Sequence, residues 1–267
     1  MPPTSPTAPD RERYVIPNLR NACRILQLLG TEPAGLKAAD IARRLQVPVT
    51  TTLRIMTTLT LENLVRKQGT LFALGPGLIQ LGHAALAGTE IRATALPVLE
   101  RLTAQTAETS HLAIPCDDRA LIVAVQHSPH PLRAASTPGF LAELHCSATG
   151  KTFLAFSDPH RLAGLYAGVH PARRTRHTLT TLAAIRRDCE RTRHRGYSLD
   201  DEEFHLGVRC LAAPVRASDG SVVAALGITA ATVRFTKERV PAMAATVKAA
   251  AADLSRLLGH AGDPGII

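Results

Sequence analysis

Three residues, Gln46, Val47 and Pro48, separate two stretches of helical periodicity, and so short a break leaves few folds open. Before it, Leu36, Ile41, Ala42 and Leu45 recur at helix spacing from about Lys37. After it, Thr50 can cap a helix that carries Leu53, Ile55, Met56 and Leu59 inward and ends near Glu62 and Asn63. Two helices across a turn this tight make a helix-turn-helix. A further helix precedes them, with Leu19, Ala22, Ile25, Leu26 and Leu29 in register and Gly30 as its terminator. Strand-like runs at 64–67 and 71–74, around Gln68 and Gly69, put a small hairpin directly behind, which is the arrangement of a wing.

The helix after the break turns Thr50, Thr51, Arg54, Thr57 and Thr58 outward. These small polar groups and one arginine suit phosphates and base edges in a major groove, whereas a merely solvated face favours Glu, Lys and Ala. Threonine is a mediocre helix former, so its abundance asks for a reason. Arg43, Arg44, Arg66 and Lys67 flank the face and suit phosphate clamping, although each alone also reads as a solubilising surface charge.

Gly75, Pro76 and Gly77 break the chain, and an apolar helical stretch at 78–87 leads to Gly88 and a second helix at 91–108 with Pro97 inside it. From Thr109 the pattern changes. Strands are expected at 111–115 and 121–126, a helix near Thr149 and another at 182–195. Strands at 211–216 and 222–229 flank the turn residues Ser218, Asp219 and Gly220, and a long Ala-rich helix at 237–258 closes the chain. The class is α+β: a disordered tail at 1–16, a winged helix-turn-helix domain at 17–77, a linker helix at 78–90, a mainly antiparallel sheet with packed helices at 91–260, and a tail at 261–267.

No apolar stretch is long enough to cross a bilayer, and the Pro/Thr-rich start lacks the basic and apolar regions of a secretory signal, so the reading is cytoplasmic with no membrane partner. Five scattered cysteines, an odd number without a CxxC pair, read as reduced thiols. The net charge of +9 suggests a polyanionic partner, but residues 173–195 alone hold eight arginines against two acids, and a run like that is usually a solvated surface.

Gly150, Lys151 and Thr152 imitate the end of a phosphate-binding loop, yet His145 stands where that loop needs its first glycine. What survives is a helix start near Ala148 and Thr149 whose free N–H groups can hold an anion; a start capped by Ser147 or Thr149 with nothing bound is the equal alternative. Asp200, Asp201, Glu202 and Glu203 cannot all face one site and read as a surface loop partnering the arginines. His111, His127, His145, His177 and His205 are scattered, and no metal or catalytic constellation emerges.

Several stretches together resemble an IclR-type bacterial transcriptional regulator over about residues 18–259. In the helix-turn-helix they are Ala39-Asp40-Ile41-Ala42-Arg43-Arg44-Leu45, then Val47-Pro48 and Arg54, with Phe72-Ala73-Leu74-Gly75 closing the wing. More specific are Gly196-Tyr197-Ser198-Leu199-Asp200-Asp201-Glu202-Glu203-Phe204 running into Gly207-Val208-Arg209-Cys210-Leu211-Ala212-Ala213-Pro214-Val215, and Ala148-Thr149-Gly150-Lys151-Thr152-Phe153-Leu154-Ala155. The resemblance implies a C-terminal GAF-like α/β effector domain joined through the linker helix, and assembly as a homodimer or dimer of dimers. It also implies a small carboxylate effector near Ala148, Thr149, Asp200, Val208, Cys210, Gly227 and Thr229. Relatives that bind small 2-oxo acids often carry serine at the position of Gly227, so glycine here leaves room for a larger or more apolar acid.

The resulting reading is a DNA-binding regulator, a repressor in preference to an activator, that reads a pseudo-palindromic duplex and responds to a small organic acid; it needs no cofactor and is not an enzyme. Two rivals remain. A catalytic GAF-like or nucleotide-binding domain with an appended helix-turn-helix would turn over a substrate. A pure interaction module would have lost the outward face of Thr50, Thr51 and Arg54.

Overall fold

Ile25, Leu29, Ile41, Ile55, Met56, Leu59, Val65 and Phe72 close on one another to form the core of the first unit. The computed structural model describes residues 14–87, 90–134, 136–156, 159–166 and 170–261, and the chain divides into two units, Met1–Gly88 and Thr89–Ile267. Most of both expected tails, and Gly88 and Thr89 of the expected linker, lie outside the described residues.

Helix α1 (Pro17–Gly30) has proline in its first turn, where no N–H is needed, and buries Ile25 and Leu29. Leu19, expected inward, is 60% exposed, because α1 meets the core only beyond its first turn. Strand β1 (Leu36–Lys37) precedes α2 (Ala38–Leu45), so Leu36 sits in a sheet and not at the head of that helix. Gln46 adopts the left-handed conformation and Val47 donates its N–H to the Ala42 carbonyl, which ends α2 and turns the chain into α3 (Val49–Leu61). Thr50 does not cap α3: Pro48 holds the cap position and no side chain caps it. The buried stripe of α3 is Thr52, Ile55, Met56 and Leu59, the i, i+3, i+4, i+7 face, which leaves Leu53 off the stripe and 45% exposed. The wing is β2 (Val65–Gln68) and β3 (Leu71–Leu74), with β1 on the other side of β3 in an antiparallel sheet ordered β1-β3-β2. Helix α4 (Gly77–Ala87) follows.

The second unit opens with α5 (Glu90–Thr106), which contains Pro97, and continues with β4 (Thr109–Cys116), β5 (Arg119–Gln126) and β6 (Leu141–Glu143). Then come α6 (Ala148–Phe156), α7 (Pro159–Leu165), α8 (Leu182–Arg195), β7 (Ser198–Asp201), β8 (Val208–Arg216), β9 (Val222–Ala231), a 3-10 turn at Lys237–Arg239 and α9 (Val240–Leu257). The six strands form one antiparallel sheet in the order β6-β5-β4-β9-β8-β7. On one face Ala113, Ile122 and Ala225 pack with Phe153 and Leu154 of α6 and Ile185 and Cys189 of α8. The alternate residues Leu112, Leu226 and Ile228 are fully buried too, so both faces are covered, and α5 and α9 also pack on the sheet and on each other. The acidic run is no surface loop: its first half is edge strand β7, and Asp200 is 1% exposed. All five cysteines are free, and no described helix is long and apolar enough to cross a membrane.

Candidate functional site

Two places bring the sequence-derived residues together, one in each unit. On α3, Thr50, Arg54, Thr57 and Thr58 are exposed and Thr51 is half-buried. Thr57 donates its hydroxyl to the Leu53 carbonyl at 2.9 Å and Thr58 to that of Arg54 at 3.1 Å. Their protons are thus spent within the helix, and the oxygens face outward as acceptors. Arg43 pairs with Asp40 at 2.8 Å and Arg44 with Glu32 at 2.5 Å, exposed pairs that hold these cations only weakly. Arg54 and Arg66 have no hydrogen bond or ion pair among the described residues, and Lys67 lies 5.7 Å from the centroid of the Phe72 ring. Arg54 is therefore the one uncommitted guanidinium that α3 presents.

In the second unit a cavity of about 370 Å³ opens between the sheet and the start of α6. Ser147 caps that helix, accepting the Gly150 N–H at 3.1 Å and donating to the Glu143 carbonyl at 2.6 Å. Gly150 is required there, because a Cβ would lie 2.5 Å from Leu144 Cα and 2.6 Å from the Glu143 oxygen. The N–H groups of Ala148 and Thr149 belong to the first turn and have no intrahelical acceptor, and both residues line the cavity. Lys151, the lysine of the phosphate-loop lookalike, turns away. Its Nζ reaches Glu203 at 2.5 Å, the Leu199 carbonyl at 2.6 Å and Asp188 at 2.8 Å, tying α6 to β7 and α8. Burial alone would lower its pKa, but Glu203 and Asp188 outweigh that and raise it, so the ammonium stays charged as a strut.

Asp200, Val208, Cys210 and Thr229 line the same cavity, so it gathers six of the seven sequence-derived effector residues. Asp200 Oδ1 accepts the N–H groups of Glu203 at 2.7 Å and Phe204 at 3.2 Å, which folds the turn after β7. Burial, reinforced by Glu203, pushes the Asp200 carboxyl up to about 7 against the pull of Lys151 and those two donors. Cys210 Sγ lies 2.6 Å from Thr229 Oγ1, and burial and Asp200 hold its thiol protonated. The seventh residue, Gly227, does not line the cavity. A Cβ there would meet the Leu211 carbonyl oxygen at 2.4 Å and Ala212 Cβ at 3.0 Å, so its glycine is set by close strand packing.

The sequence missed His111, Ser136, Thr137, Phe140 and Phe204 as lining residues. Strand alternation from Thr109 would have turned His111 inward, and Phe204 closes a recognised motif. Residues 136–140 carry no periodic signal. Phe140 and Phe204 meet edge-on with centroids 6.0 Å apart. No lysine or arginine among the described residues lines the cavity.

Nearby, Glu143, His145 and Cys146 bring metal-ligating atoms within 4.8 Å of one another. The carboxylate is already committed: Arg174 grips both oxygens of Glu143 at 2.8 Å, and Arg119 stands 3.4 Å away. Arg174 holds Glu143 down at about 2, while burial and Glu143 keep the Cys146 thiol protonated. A cation would have to displace a bidentate guanidinium, so the cluster works as an ion-pair lock.

Residues 19–69 match the IclR helix-turn-helix domain, and residues 83–256 match the C-terminal domain of the bacterial transcriptional regulator IclR. The HTH-type transcriptional regulator BhcR of Paracoccus denitrificans is 32% identical over 249 residues, which are 92% of this chain and 89% of that protein. The transcriptional repressor IclR of Escherichia coli is 29% identical over 250 residues, 91% and 90% of the two chains. The fold is shared with a crystal structure of an IclR homolog from Microbacterium hydrocarbonoxydans complexed with 4-hydroxybenzoate, at a TM-score of 0.77 and 23% identity over 90% of this chain and 98% of that one.

Proposed function

Because the chain belongs to the IclR family of bacterial transcriptional regulators, DNA-binding proteins with a C-terminal effector domain, we propose that it is a repressor controlled by a small organic acid seated in the 370 Å³ cavity. The observation that carries this reading is the start of α6, where Ala148 and Thr149, first-turn residues, line a cavity that has no lysine or arginine among its described lining residues. A helix N-terminus binds a carboxylate through its first-turn N–H groups and its dipole. Ile122, Phe140, Ala142 and Phe204 then receive the apolar body of the acid. The volume is at the lower end of the range for drug-sized ligands, which favours a body larger than that of a small 2-oxo acid. The Microbacterium homolog, whose ligand is an aryl acid, supports the same class.

In this reading residues 17–77 hold the DNA, residues 78–90 link, and residues 91–260 hold the effector. Thr50, Thr51, Arg54 and Thr57 read base edges, and Arg43, Arg44, Arg66 and Lys67 hold phosphates. One such helix reads only a few base pairs. A homodimer, or a dimer of dimers, on a pseudo-palindromic operator in the cytoplasm supplies the remaining readout.

Duplexes selected from random-sequence DNA supply the operator probe, to be titrated with and without a panel of small organic acids. Val208→Phe places a larger side chain in the wall of the cavity and keeps the backbone bonds of Val208 to Glu202 and His205. It is expected to keep operator binding and lose the acid response; an undiminished response in this variant would place the effector elsewhere.

A further inference from the structure

We propose that His111 sets the specificity of the cavity by hydrogen-bonding a hydroxyl group on the body of the effector, remote from the carboxylate held at Ala148 and Thr149. The inference rests on the organic-acid reading above and names the chemical class more narrowly: a hydroxylated acid with an apolar frame.

His111 stands on β4, lines the cavity and is 4% exposed. Its Nδ1 is enclosed and is one of three buried side-chain atoms without a hydrogen-bond partner among the described residues, and no hydrogen bond to Nε2 is found among those residues either. Buried polar groups are nearly always paired, so an imidazole that finds no partner among the described residues, in the wall of a cavity, is suited to a partner supplied by a ligand. The sheet itself cannot supply one. In register, His111 faces Gly227 of β9, which has no side chain, and Val125 of β5, whose side chain has no polar atom. Packing against Leu211 and Ala212 forbids a side chain at Gly227, so the cross-strand neighbour on β9 has no side chain to offer the ring.

The character of the missing partner follows from the ring and its surroundings. Burial lowers the His111 pKa to about 4, so the ring is neutral and offers one N–H and one lone pair. A hydroxyl donates and accepts, and therefore serves either tautomer. A second carboxylate would be buried with no lysine or arginine among the described lining residues to meet it, in the same cavity as Asp200. Phe140, Phe204 and Ile122 supply the walls for the frame between the two polar ends.

The test is calorimetry on the full-length protein with benzoate against 2-, 3- and 4-hydroxybenzoate, and phenylacetate against its hydroxylated forms. In the parent protein at least one hydroxylated acid is expected to bind about tenfold more tightly than its unsubstituted partner, the worth of one net hydrogen bond. His111→Leu should remove that preference and keep the affinity for the unsubstituted acid, and His111→Gln, which retains a donor and an acceptor, should recover part of it. Should leucine loosen the sheet, ring nitrogen NMR of the parent protein decides: the His111 signals are expected to move with the hydroxylated acid and not with its partner. Equal affinities throughout, a preference that survives in His111→Leu, or identical shifts with both acids overturn the role of His111 and leave the organic-acid reading standing. If no acid of either series binds the parent protein, both fall.

Discussion

The Asp200 carboxylate is pulled two ways. Two backbone donors and Lys151 favour its charge, while burial and Glu203 oppose it, and the balance places its titration at about 7. Because the folded pKa lies above the ordinary 3.8, the native state holds a proton that the unfolded chain releases. The contribution to stability is therefore present at low pH, declines as pH rises from about 4 to about 7, and levels off above. An acid bound at the start of α6 places a second negative charge near the same carboxyl and raises its pKa further. Binding should then take up a proton, and affinity should fall as pH rises from 6 to 8.5. Calorimetry in buffers of different ionisation heat measures the uptake. Asp200→Asn keeps an oxygen for the Glu203 and Phe204 donors and should abolish it; uptake that persists in this variant, or none in the parent protein, removes Asp200 from the binding step. Gly227 gives the complementary lesson. By resemblance it reads as a missing hydroxyl, but the Leu211 oxygen 2.4 Å from where a Cβ would stand makes it a packing requirement.

Among the elements, α3 carries the clearest prediction. Arg54 is its uncommitted cation, so Arg54→Ala should weaken specific operator binding by about 1–3 kcal/mol if the guanidinium reads a base. If it holds a phosphate, the loss should instead be uniform across sequences and flatten the salt dependence. Gel shifts over a range of salt separate the two outcomes, and an unchanged salt slope with unchanged affinity would remove α3 from the interface. How legible each element is depends on where its determinants lie. Helix α8 is readable to the residue because Thr181 caps it, accepting the Ala184 N–H at 3.3 Å, and Gly196 at φ 76° stops it. The start of α3 is not, since Pro48 stands at the cap and no side chain marks it. Strand β1 is two residues long and borrows its partner from the wing, so Leu36 looks helical by spacing alone. Strand β7 looks like solvated surface because its charges are met from other elements: Asp201 by Arg209 of β8 and by Lys237, and Glu203, just beyond it, by Lys151 of α6. The start of α6 is legible from the sequence as a helix start, capped by Ser147 as one of the two equal readings has it, but the lining of the cavity comes mostly from resemblance, and Phe140 comes from neither.

For the whole molecule, net charge is a poor guide to where the work is done. The run at 173–195 contributes much of the +9, yet Arg174 locks Glu143, Arg193 holds the Ala155 carbonyl at 2.7 Å, and Arg195 stacks 4.7 Å from the Tyr197 centroid. These arginines serve the second unit internally. The residues proposed to face DNA and the cavity belong to different units, so control of one by the other requires a coupling free energy between them. An acid that binds equally well to DNA-competent and incompetent arrangements shifts nothing, however tightly it binds. If the cavity is the switch, saturating acid should change operator affinity by at least about fivefold, within the usual range of such couplings. Linkage then demands that saturating operator change acid affinity by the same factor in the same direction. Operator titrations with and without acid, beside acid calorimetry with and without operator, measure both factors on one preparation. No change in either would make the acid a passenger in the second unit; unequal factors would mean that a third equilibrium, such as assembly of protomers, is linked to both and carries part of the signal.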